Sequence, residues 1–146
     1  ESDFGIISME KYLLQAAHNK DFHECIEHSF SDKFYDWKIT VLFYIAIHCL
    51  KALASKLNIE IGETHREVEK NINPDRTPHS LPISRAAYKN YRDLYQYSKT
   101  ARYEGFTDFE TFEKLKETDH SHCLIHLSNF QKYIESRGVK LDSCIL

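Results

Sequence analysis

Glycine and proline are scarce in this sequence, with 4 and 3 among 146 residues, too few for the tight turns of an all-β sandwich or barrel. Cysteine is scarce too: Cys25, Cys49, Cys123 and Cys144 form no CxxC pair and lack the density of a disulfide scaffold. Free thiols in a reducing, cytoplasmic compartment are the expectation. No apolar run reaches the roughly 20 residues of a membrane span, the longest stretch being Val41–Leu50, so no membrane association is expected. The first residues carry no basic segment followed by an apolar one, hence no signal-peptide pattern. Positive charge is not in excess either. With 19 basic and 22 acidic side chains and a net charge of −3, any contact with nucleic acid must use a local patch.

The composition that is present, 42% hydrophobic and 28% charged, is that of a globular chain and not a disordered one. Its length suits one domain, residues 1–146. Apolar spacing predicts about five helices. Ser8 is placed to cap the first, whose face carries Met9, Tyr12, Leu13, Ala16 and Ala17, with a bend near Asn19–Asp21. A second helix, about Lys33–Leu57, is apolar nearly all round. That pattern predicts a central, buried helix with Trp37 in its core and Ser31 or Asp32 at its cap. Thr64-His65-Arg66-Glu67 has capping-box spacing and opens a short helix, Thr64 to Ile72. Pro74 and Pro78 then force a loop. A fourth helix from about Pro82 to Tyr103 is stopped by Gly105. A fifth starts near Thr107 or Asp108, with a bend or break in its polar middle, Glu117–His122. The expected fold class is all-α, an antiparallel up-and-down bundle.

Several constellations carry chemistry. Tyr44 and His48 sit one turn apart on the central helix, where a buried imidazole is either an acid/base group or a satisfied core residue. His65 and Arg66 open a helix and suit an anion, or form a solvated capping turn. Arg102, Tyr103 and Glu104 combine a fork donor, an aromatic face and a carboxylate, a set that either binds a nucleotide or reflects the favourable placement of an Arg near a helix C-terminus. The tyrosines at 88, 91, 95, 97 and 103 could stack bases, although helical spacing favours core and interface roles. The excess of aromatic residues on the fourth and fifth helices suggests a homodimer. His122 and His126, one turn apart beside His120, raise the question of a metal, but no HExxH occurs and the third ligand would be Asp119 or Cys123; no metal is expected. GxxxxGK[ST], GxGxxG and GxSxG are absent, and no cofactor is expected.

Three stretches together resemble the HEPN superfamily, in particular its short prokaryotic branch. Asp36-Trp37 with Phe43-Tyr44 and His48 is similar to that branch's DW…FY…H helix. Thr64-His65-Arg66 opens a short helix after a loop, and residues 91–103 are similar to its YxxLxxxSxxARY pattern. The resemblance spans about Ser8–Arg137 and implies a helical bundle, frequently a symmetric dimer. It also implies a family associated with RNA cleavage, toxin–antitoxin pairs, antiviral defence and nucleotide binding. The family's nuclease signature, an Arg followed after four to six residues by a His, is missing. Asn71, Ile72 and Asn73 occupy those positions after Arg66, and Thr107, Asp108 and Phe109 after Arg102. Three readings follow. The first is a module that binds RNA, a nucleotide or a protein partner such as an antitoxin, through Tyr44, His65, Arg66, Arg102, Tyr103 and Glu104. The second is a divergent metal-independent endoribonuclease with His48, His65 and Arg102 as catalytic candidates. The third is a purely structural interaction subunit.

Overall fold

The computed structural model describes residues 3–103 and 109–146. Their elements are α1 (Asp3–Ser29), α2 (Tyr35–Lys56), α3 (His65–Ile72), α4 (Arg85–Tyr103), α5 (Phe109–Ser136) and a short 3-10 turn, Asp142–Cys144. No strand occurs among the described residues. Helix α2 packs against α1, α4 and α5 and is buried along most of its circumference, from Ile39 and Leu42 through Leu50 and Leu53. Its apolar window would suffice in length and hydropathy to cross a membrane, but 78% of it is buried inside the bundle.

The all-round apolar pattern still leaves one stripe outward. Trp37, expected in the core, is 56% exposed, and Tyr44, seven residues on, is 40% exposed. Positions seven apart share a face, and this one is left open among the described residues. The start of α2 also differs. Its N-cap is Phe34 in the left-handed region (φ 62°), with no side-chain cap bond from Ser31 or Asp32. Instead, two residues inside α2 reach back over the turn: the Tyr35 hydroxyl donates to the Ser31 carbonyl (3.0 Å) and Lys38 Nζ to the Phe30 carbonyl (2.7 Å).

The stretches expected to bend near Asn19–Asp21, and to bend or break at Glu117–His122, both lie within uninterrupted helix, each for a visible reason. In α1, Gln15 donates to Asn19 (3.0 Å) and Lys20 pairs with Glu24 (2.6 Å), so polar one-turn pairs carry the helix past Asn19–Asp21. It starts at Asp3, which puts Ser8 inside it. In α5 the polar middle is mostly exposed but turns His120 inward, one turn after the buried Lys116, so the helix is anchored on both sides of the stretch. The fourth helix begins at Arg85, not Pro82. Leu81 and Ile83 donate their backbone N–H groups to the carbonyls of Asn71 and Ile72, which holds the chain extended along the end of α3 until Ser84 Oγ accepts from Ala87 N–H. Gly105, read as the stop of α4, and the start of α5 at Thr107 or Asp108 lie outside the described residues.

Candidate functional site

Thr64 and Glu67 build the entry to α3. The Thr64 hydroxyl accepts from Glu67 N–H (3.2 Å), while the Glu67 carboxylate accepts from Thr64 N–H (3.1 Å), a complete capping box. Those bonds to Thr64 hold the Glu67 carboxyl below the usual carboxylate range. Gly62 makes room for it: φ is +101°, and a Cβ there would lie 2.4 Å from Glu67 Cβ. The box uses the Thr64 and Glu67 N–H groups, two of the four backbone donors at this helix start, and the His65 and Arg66 side chains add donors of their own for an anion.

The same box aims His65. Its half-buried ring lies against Tyr95 of α4 (centroids 5.0 Å apart) and Phe43 of α2 (5.5 Å). Phe43 is fully buried and also contacts Tyr44, Tyr91 and Tyr95, so four rings gather around one core aromatic. Tyr44 and Tyr95 reach the surface at its edge. Cations surround this patch. Arg66 is exposed beside His65, and Arg92 and Lys99 lie three residues before and four after Tyr95, so one turn away on either side. Arg92 is 3.9 Å from Glu69, which also accepts from the Tyr88 hydroxyl (3.2 Å). Half-exposed rings among cations can stack bases and hold phosphates.

His48 belongs to a different face. Its Nδ1–H donates to the Tyr44 carbonyl (2.7 Å) and its ring lies near Tyr12 of α1, centroids 6.3 Å apart. Burial pushes its pKa down, against the pull of the Tyr44 carbonyl. The ring is thus neutral near pH 7, with Nε2 as acceptor. Among the described residues no contact joins His48 to His65. The side chains of Arg102 and Tyr103, and all of Glu104, lie outside the described residues.

Four further histidines have side-chain partners. His122 Nδ1 meets the Tyr97 hydroxyl (3.1 Å), and His126 Nδ1 meets Asn90 (3.0 Å) with Asp93 3.6 Å from its other nitrogen. His120 turns inward to His23. Among the described residues no group of three or more His, Cys, Asp or Glu could hold a metal ion.

The sequence carries one further signal of this face. Five of the six arginines fall between residues 66 and 102, and residues 64–102 carry eight basic against four acidic side chains in a chain whose net charge is −3. That excess lies on α3, the following loop and α4, the elements that carry His65 and Tyr95. Among known families, a model described as HEPN domain matches residues 9–137, in agreement with the helical bundle. No curated protein matches the chain. No solved structure matches it either.

Proposed function

The chain belongs to the HEPN domain family, and on that premise we propose that it is an RNA-binding helical module whose contact surface is the α3–α4 face. The observation that carries the reading is the excess of basic over acidic side chains in residues 64–102, the span whose two helices bring His65 against Tyr95. In a chain that is acidic overall, non-specific attraction of RNA by the whole molecule is weak, so a confined basic, aromatic face gives binding its location. Arg66, Arg92 and Lys99 contact phosphates; Tyr95, Tyr44 and His65 offer ring faces to unstacked bases.

Binding without turnover is the better-supported form of this reading. A metal-independent cleavage needs an acid, a base and a charge stabiliser around one phosphate. His48 and His65 pack against different helices, and the Arg–His spacing of the family's nucleases is missing. A context of toxin–antitoxin or defence systems is compatible with an RNA-binding role.

The test is a fluorescence anisotropy titration of a labelled, unstructured RNA of about 12 nucleotides, a length within the usual single-strand site size. Saturable binding is expected, weakened in Tyr95→Leu by about 1–3 kcal/mol per lost stacked base. Equal affinity in wild type, Tyr95→Leu and Arg66→Ala would remove the α3–α4 face from the account.

A further inference from the structure

The turn between α1 and α2, with the first half of α5, builds a second surface of opposite character. Phe30, Phe34 and Trp37 stand on it, each at least 40% exposed. The first two rings meet edge to face, centroids 4.9 Å apart, and Trp37 follows Phe34 by three residues, so the ridge continues onto α2. Beside the ridge runs a cleft of about 590 Å³. Tyr35 lines it, together with the carboxylates Asp32, Glu110, Glu113 and Glu117 against two lysines.

The carboxylates are crowded. Burial, then the negative charges of Asp36 and Asp32, hold the Glu113 carboxyl above its usual range, against the pull of the Phe34 backbone and Lys38. One Glu113 oxygen is buried with no hydrogen-bond partner among the described residues. Burial and the charges of Glu117, Glu27, Asp32 and Glu113 likewise raise the Tyr35 phenol. A cation entering here would relieve that repulsion. The ridge already receives one: Lys33 Nζ lies 5.4 Å from the Phe30 centroid and 5.3 Å from that of Phe34.

An acidic cleft bordered by exposed aromatics is complementary to a helix with basic side chains on one edge and apolar ones on the other. We propose that this end of the bundle docks a basic amphipathic helix of a protein partner. Its Lys or Arg side chains enter the cleft at Glu113, and its apolar side chains cover Phe30, Phe34 and Trp37. This site lies apart from the α3–α4 residues assigned to RNA, and it stands or falls separately.

Trp37 is the chain's one tryptophan, so its emission reports docking directly. The probe is a synthetic peptide of about 18 residues, roughly five helical turns, with Lys along one face and Leu along the other. The expected result is a saturable blue shift that a peptide of the same composition in scrambled order does not give. The triple variant Asp32→Asn/Glu113→Gln/Glu117→Gln should bind about tenfold more weakly or worse, and so should Phe30→Ser, a second variant at an exposed position. Both should keep wild-type circular dichroism and RNA affinity. Absence of a shift overturns the proposal, as does equal binding of the scrambled peptide or of the variants. A shift that instead follows the protein's own concentration, with a dimer in sedimentation, also overturns it and assigns the surface to a second copy.

Discussion

His23 and His120 meet nitrogen to nitrogen, Nε2 to Nε2 at 2.9 Å, between α1 and α5. Both rings are almost wholly buried, stacked at a centroid distance of 5.2 Å. One Nε2 donates and the other accepts, and burial lowers the pKa of both, so both rings are neutral near pH 7. Lys38 supports this neutrality. It is fully buried on α2, paired with Glu27 (2.6 Å) and set 4.4 Å from the Tyr35 ring centroid, and its charge disfavours a proton on either imidazole.

Stability should fall with acid in a defined window. Burial, then the charge of neighbouring His23, takes His120 from 6.5 to about 4, and burial lowers His23 as well, against the pull of Glu27. The unfolded chain therefore takes up protons first as pH falls. The contribution is fully present above 6.5 and is lost between 6.5 and about 4, to a total near 3 kcal/mol for His120. Denaturant midpoints measured across this range should decline, and His120→Gln should flatten the decline. A slope identical in the variant would show that the pair is not its source.

Two aromatic residues on one helix should respond oppositely to truncation. Phe43 is fully buried against four rings, so Phe43→Ala should cost about 3–5 kcal/mol. Trp37 is 56% exposed, and Trp37→Ala should cost about 1 kcal/mol or less. Comparable losses in urea unfolding would contradict the orientation of α2.

Thr64→Ala should lower stability by about 1 kcal/mol through loss of one side of the capping box. Its larger effect should be on RNA, because the box sets the direction from which His65 reaches Tyr95. Thr64→Ser, which keeps the hydroxyl, should restore both. RNA affinity that survives in the alanine variant would show that α3 does not present the ring.

Helix number and order were readable because strong local signals coincide: the all-round apolar pattern of α2, the prolines after α3 and the Thr64–Glu67 spacing. What failed depended on tertiary partners. Trp37 looks like core because an apolar side chain in sequence does not reveal which stripe neighbouring helices leave uncovered. Glu117–His122 looks like a break because polarity reads as solvent. Yet His120 and Lys116 turn inward to partners 97 residues away in one case and three in the other. Within the candidate site, His65 and Arg66 were legible from the helix start they open. The separation of His48 from them was not, since two histidines on consecutive helices give no hint of whether they share a face.

The central claim is that phosphates are held by the α3–α4 face. The salt dependence of RNA affinity tests it most directly, because each phosphate contact contributes about 0.7 to the log–log slope for single strands. Wild type should show a negative slope, and Arg66→Ala and Arg92→Ala should each reduce its magnitude by about that amount while weakening binding. A salt-independent affinity, or slopes unchanged in both variants, would contradict the account.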